Sequence, residues 1–119
     1  MDELIGRLAA KAGISNAVAE KTIGIILDFL RNEGPSDKVQ ALIDNIPGAE
    51  DAISGSSGGL AKLMGGGVMA LGTKLMGLGL GISEIQNVAR ELFRFGREKI
   101  GADGMGEIIQ GTPALRHFA

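Results

Sequence analysis

The segment from residue 60 to residue 81 constrains the fold of this chain more than any other part of the sequence. It reads LAKLMGGGVMALGTKLMGLGLG, in which apolar residues recur with a helical period and glycines interrupt them repeatedly. Each glycine inside a helix costs about 1 kcal/mol relative to alanine, so this helix would not persist alone in water. The sequence therefore predicts a Gly-rich central helix that neighbouring elements pack against on most sides.

The flanking residues 1–53 and 82–119 show the periodicity of amphipathic helices, divided by residues that start or stop a helix. The glycines among these residues favour left-handed caps, the serines favour N-caps, and proline cannot continue a helix. The predicted boundaries are a C-terminal cap at Gly13, an N-cap at Ser15 or Asn16, stops at Gly34-Pro35, Pro47-Gly48 and Thr112-Pro113, a capping box of Ser83 and Gln86, and a helix end at Gly101.

These boundaries predict one all-α domain, a bundle of five to seven helices in which two similar hairpins flank the central helix. The chain has 119 residues, of which 45% are hydrophobic, enough for a single core. Residues 1–53 form the N-terminal helices and residues 82–119 the C-terminal hairpin. The sequence Ser-Gly-Ser-Ser-Gly-Gly at residues 54–59 predicts a flexible linker between the first part and the central helix.

The two outer parts of the chain also align with each other. A shift of 66 residues carries Phe29 onto Phe95, Arg31 onto Arg97 and Pro47 onto Pro113. A duplicated helical hairpin is the preferred interpretation of this internal repeat. The alternative is that two amphipathic hairpins converged on the same cap and stop residues.

Composition excludes several classes of site. The chain has no Cys, Trp or Tyr and a single His, His117, which excludes disulfides and thiolate metal sites and argues against a Ser-His-Asp triad. Its net charge of −2 argues against nucleic acid as a partner. The adjacent carboxylates Asp2-Glu3 and Glu50-Asp51 lie at predicted helix ends, where acids complement the helix dipole. We therefore predict no catalytic residues, no metal and no cofactor.

The Gly-rich segment permits three interpretations. It is a core helix between the two hairpins, a helix–helix contact between two copies of the chain, or a membrane-contacting segment. The spacing Gly77-x-x-x-Gly81 resembles a close-packing motif, and residues 63–82 carry one charge, Lys74, over a length near that of a membrane span. The candidate self-association residues are Leu71, Leu75 and Leu78.

Three arginines recur at helical spacing in the C-terminal part. Arg90, Arg94 and Arg97 stand at i, i+4 and i+7, so they share one helix face. Glu91 and Glu98 lie nearby, and a solvated face with intrahelical ion pairs is the alternative interpretation. If an exposed patch binds a partner, we predict that these arginines form it.

Several short motifs resemble a known group of proteins. Gly13-Ile14-Ser15, Ile46-Pro47-Gly48-Ala49, the Gly/Met/Leu-rich stretch Leu60 to Gly79 and Gly81-Ile82-Ser83 look like the small helical bacterial proteins grouped as VcgC/VcgE-like. The resemblance implies an all-helical fold. It assigns no activity and transfers no site residue, because this group has no assigned function.

Together these features predict a non-enzymatic protein–protein interaction or self-assembly module, located in the cytoplasm and able to form a homo-oligomer. The alternative is a protein that associates with membranes or lipids through the Gly-rich segment 60–82.

Overall fold

The computed structural model describes residues 2–56 and 68–111, and its regular structure is entirely helical within these ranges. This confirms the predicted all-α bundle. Its six helices are α1 (Asp2–Ala12), α2 (Asn16–Glu33), α3 (Ser36–Asp44), α4 (Ala49–Ser56), α5 (Val68–Gly77) and α6 (Ile82–Gly111). Thr112-Pro113 and the residues after them, including His117, lie outside the described residues.

The turn between α1 and α2 forms as the sequence predicts. Gly13 has φ 68°, a left-handed conformation that glycine adopts without steric cost, and the Ile14 amide donates to the Ala9 carbonyl at 3.1 Å. Ser15 is the N-cap of α2, because its hydroxyl accepts a hydrogen bond from the Val18 amide at 3.2 Å. Both predicted caps are therefore confirmed.

The boundaries around α3 also follow the Gly and Pro residues. Helix α2 ends at Glu33, where the Gly34 amide donates to the Leu30 carbonyl at 2.7 Å, and Pro35 directly precedes α3. Gly48, with φ 88°, separates α3 from α4. Helix α4, which has 8 residues, begins directly after Gly48.

The predicted C-terminal hairpin is one long element with a break at Gly101. Helix α6 begins at Ile82, one residue before the predicted cap Ser83, and the Gly81 carbonyl accepts the Ile85 amide at 3.0 Å. Gly101 has φ 84° and ψ 162°, which interrupts the helix and confirms the predicted break. The helix is therefore kinked at Gly101.

Replacing Gly101 by alanine is expected to lower the free energy of unfolding by about 1 kcal/mol, because a Cβ strains a residue with positive φ. Gly106 is the matched control, since it is helical and has no atom within 4 Å of an added Cβ. Gly106→Ala is expected to raise the free energy of unfolding by up to about 1 kcal/mol. Urea unfolding measures the change in the free energy of unfolding for both variants. If both changes have the same sign, Gly101 is not the position at which the helix breaks.

The core is organised around α2. This helix packs against α1, α3, α4 and α5, while α6 packs against α1 and α3. Most of the predicted apolar stripes are buried. The largest fully buried side chains are Leu4, Leu8, Ile23, Leu27, Leu30, Leu42, Ile43, Ile46, Ile53, Leu75, Leu92 and Met105.

The described part of the central segment is a shorter helix than the sequence predicts. Helix α5 ends at Gly77 rather than at residue 81, because Gly79 takes φ 94° and the Leu80 amide donates to the Leu75 carbonyl at 3.3 Å. This left-handed cap turns the chain into α6. The predicted linker 54–59 begins inside α4, which continues to Ser56. Residues 57–67 lie outside the described residues.

The helix bounds agree with the internal alignment. A shift of 66 residues carries Asn16–Glu33 onto residues 82–99 and Ser36–Asp44 onto residues 102–110, so that Pro35 coincides with the break at Gly101. The buried residues Phe29 and Leu42 correspond to the buried Phe95 and Ile108. An origin by duplication stays a prediction.

Candidate interaction surface

The three predicted arginines lie on one exposed face of α6. Arg90, Arg94 and Arg97 are all exposed, and at about 1.5 Å of rise per residue they extend over roughly 10 Å of the helix. Ser83, Gln86 and Asn87 add uncharged polar side chains on the same side of the helix, and Glu91 and Glu98, at i−3 and i+4 from Arg94, lie at its edge. We call this surface the arginine face and define it as Ser83, Gln86, Asn87, Arg90, Arg94 and Arg97, all of which are exposed.

The two carboxylates next to the arginine face bind a different arginine. Arg7 of α1 donates from Nε to the Glu91 Oε1 at 2.8 Å and from a terminal guanidinium nitrogen to the Glu98 Oε2 at 2.9 Å. Glu91 is 6% exposed and is the buried acid of the described core. The Arg7 hydrogen bond holds the pKa of Glu98 below its usual range, and the two carboxylates hold the pKa of Arg7 above its usual range.

An aromatic ring completes this contact between α1 and α6. The guanidinium carbon of Arg7 lies 5.4 Å from the centroid of the Phe95 ring, and the Lys99 Nζ lies 5.1 Å from the same centroid. Both distances permit cation–π attraction. Arg7 is therefore held by two carboxylates and a ring. Sequence reasoning missed this residue, because its partners lie 84 and 91 positions away.

The arginine face has one carboxylate close enough for electrostatic attraction, Glu98, which acts on Arg94 while it is bound to Arg7. Within residues 2–56 and 68–111, none of the ion pairs includes Arg90, Arg94 or Arg97. The described residues form no intrahelical ion pair between these arginines and Glu91 or Glu98, and a solvated face stays the alternative interpretation. Like charges at i,i+4 repel by a few tenths of a kcal/mol on a helix. An anionic partner would remove that repulsion.

A second polar surface lies on the N-terminal half of the bundle. A groove of about 350 Å³ opens where the start of α1, the first part of α2 and the turn between α3 and α4 meet. We call it the acidic groove, and it is lined by Asp2, Ile5, Glu20, Pro47, Gly48 and Asp51. The sequence pairs Asp2 with Glu3 and Glu50 with Asp51, whereas the fold brings Asp2 and Asp51 to one groove.

The other carboxylate at the start of α4 faces different partners. Glu50 accepts hydrogen bonds from Gln40 at 3.1 Å and from Arg31 at 3.0 Å. These two donors lower the pKa of Glu50. By contrast, no ion pair in the part of the chain that the structure describes includes Asp2, Glu20 or Asp51. Nor do the described residues bring three or more His, Asp or Glu together as a metal site.

The candidate self-association residues lie at and near the end of α5. Leu75 is 1% exposed and packs in the core of its own chain, and Leu78 is half-buried against that core. The side chain of Leu71 lies outside the described residues. Two apolar side chains that sequence reasoning did not single out are exposed, Met76 at 53% and Ile82 at 66%. Self-association through the leucines stays a prediction.

The membrane interpretation concerns the same part of the chain. None of the helices that the structure describes combines the length and the apolar character of a membrane-spanning segment. Lys74, the one charge of the predicted span, is half-buried in α5. Residues 63–67 of that span lie outside the described ranges.

No known family assigns a role to either surface. None of the family models matches this chain, and no curated protein or solved structure matches it either. The resemblance to VcgC/VcgE-like proteins therefore stays a prediction.

Proposed function

We propose that this chain is a protein–protein interaction module that binds an acidic protein surface through the arginine face. The single observation that carries the proposal is the division of charge around α6. The neighbouring carboxylates Glu91 and Glu98 are bound by Arg7, while Arg90, Arg94 and Arg97 are exposed without an ion pair in the described residues.

The chemistry of the face supports an acidic protein as the partner. Guanidinium groups bind carboxylates with two parallel hydrogen bonds, and arginine is enriched at protein interfaces. The uncharged side chains of Ser83, Gln86 and Asn87 add hydrogen-bond donors and acceptors along the same line. The face carries no aromatic side chain on which a nucleic-acid base could stack, and the chain as a whole is acidic.

The test is a titration of the full-length, isotope-labelled chain with a short poly-glutamate peptide, followed by NMR. Chemical-shift changes are expected along residues 83–97, because the peptide carboxylates contact that face. The variant Arg90→Gln/Arg94→Gln is expected to weaken binding at least about tenfold, since two charge-assisted contacts are removed. Binding is expected to vanish near 1 M salt, where the Debye length falls to about 3 Å.

The matched control is Lys11→Gln/Lys21→Gln, which removes the same charge from exposed positions elsewhere in the fold. This variant is expected to bind poly-glutamate like the unmodified chain. If both double variants weaken poly-glutamate binding equally, the binding depends on net charge alone, and the proposal is contradicted. Binding to duplex DNA or to anionic liposomes in flotation, without binding to poly-glutamate, would also contradict it and would favour the nucleic-acid or the lipid alternative.

A further inference from the structure

We infer that the acidic surface bound by the arginine face is the acidic groove of a second copy of this chain. The inference rests on the proposed function and names its partner. It joins two surfaces of the same molecule that are complementary in charge, the cations of α6 and the carboxylates that line the acidic groove.

The acidic groove suits a guanidinium-bearing partner. Its carboxylates Asp2, Glu20 and Asp51 are exposed and, within the described residues, take part in no ion pair. Ile5 and Pro47 add apolar surface, against which the methylene stem of an arginine can pack while its head group meets a carboxylate. The groove is open to solvent and has a volume of about 350 Å³, so a side chain of a second molecule can reach its carboxylates.

The two surfaces also match in charge. Three cations line the arginine face and three anions line the acidic groove. No residue of α6 lines the groove, and no ion pair of the described residues joins the two surfaces within one chain. The uneven charge of the sequence favours the same pairing, because residues 1–53 carry nine acidic and five basic side chains. Opposite potentials on two surfaces steer molecules into this contact and fix its register.

A contact between two different surfaces has a definite consequence for assembly. Each bound copy still presents one free arginine face or one free groove, so the arrangement is head-to-tail and continues into rings or open chains. Because charge drives it, such assembly weakens as salt increases. Self-association through apolar side chains such as Leu71 and Leu78 would persist at high salt, because the hydrophobic effect does not depend on screened charge.

The first experiment measures the mass of the full chain by size exclusion with light scattering at low and high salt. We expect species larger than 12.3 kDa at low salt, growing with protein concentration, and the monomer mass at 1 M salt. Arg90→Gln/Arg94→Gln and Glu20→Gln/Asp51→Asn are each expected to be monomeric at low salt.

The matched control for the groove variant is Glu3→Gln/Asp37→Asn, which removes the same charge at exposed positions in the first turns of α1 and α3. This control is expected to assemble like the unmodified chain. The circular dichroism spectrum of every variant is expected to stay helical, because all substituted side chains are exposed.

The decisive experiment mixes the two monomeric variants. One keeps an intact groove and the other an intact arginine face, so together they can form one head-to-tail contact and no more. The mixture is expected to give a dimer of twice the monomer mass, and labelled variants are expected to elute together. If each variant alone still assembles, or the mixture stays monomeric, the inference is overturned.

Failure of this inference is distinguishable from failure of the proposed function. A chain that is monomeric at low salt and still binds poly-glutamate through Arg90 and Arg94 overturns the self-pairing and keeps an acidic partner of another kind. A chain that neither binds the peptide nor assembles overturns both. Assembly that persists at 1 M salt and in both double variants would instead indicate an apolar interface.

Discussion

Leu75→Arg is expected to leave most of the chain unfolded at 25 °C, whereas Met76→Arg is expected to change the free energy of unfolding by less than about 0.5 kcal/mol. The two residues are adjacent in α5, but Leu75 is 1% exposed and Met76 is 53% exposed. A guanidinium at Leu75 would be buried without a partner, which costs several kcal/mol of a total stability of about 5–15 kcal/mol. Far-UV circular dichroism and urea unfolding measure both variants.

The milder substitution Leu75→Ala keeps this prediction quantitative if Leu75→Arg does not fold. It is expected to lower the free energy of unfolding by about 2–5 kcal/mol, as large-to-small changes in a core do. A Leu75→Arg chain that stays folded and only loses oligomer mass would contradict the core position. That outcome would favour the prediction in which Leu71, Leu75 and Leu78 join two copies of the chain.

Arg7→Met is expected to lower the free energy of unfolding by about 1.5–3 kcal/mol, because it removes a charged hydrogen bond and leaves Glu91 without its partner. Glu91 is 6% exposed, so water reaches its carboxylate poorly. The methionine retains most of the apolar contact with Phe95, which limits the effect of lost packing. Urea unfolding at neutral pH measures the change.

Two further variants separate the buried contact from the exposed one. Glu98→Gln is expected to have a much smaller effect, because the Glu98 side chain is 52% exposed and solvent screens it. Glu91→Met in the Arg7→Met background is expected to recover part of the lost stability, since replacing both partners of a buried pair by apolar groups can be nearly neutral. If the effects of Arg7→Met and Glu91→Met simply add, the two side chains are not coupled.

Local boundaries of the fold are predictable from the sequence because their causes are local. The cap at Gly13, the N-cap at Ser15 and the break at Gly101 depend on hydrogen bonds and backbone angles within about five residues. The same locality explains the small errors. Helix α6 starts one residue before Ser83. Helix α5 ends before residue 81, because Gly77, Gly79 and Gly81 can each end a helix and the sequence does not show which of them does.

The sequence predicts which side chains share the arginine face, whereas the tertiary structure determines which charges near it are paired. Periodicity alone placed Arg90, Arg94 and Arg97 on one helix face, because side chains at i, i+4 and i+7 project from the same side. The sequence could not predict whether Glu91 and Glu98 pair with these arginines or with another residue, because both carboxylates lie within one helical turn of Arg94. The tertiary structure shows that Arg7 of α1 binds both carboxylates.

By itself, then, the sequence of this protein determined most of the helices, the caps at Gly13 and Ser15 and the faces that the helices bury, since 3.6-residue periodicity and backbone hydrogen bonding act over a few residues. Only the tertiary structure decided which charges are bound within the chain and which stay exposed. Arg7 could have paired with Glu3 one turn earlier on α1, and it pairs instead with Glu91 and Glu98, 84 and 91 positions away. The same packing brings Asp2 and Asp51 into one groove, because α1 and α4 both lie against α2.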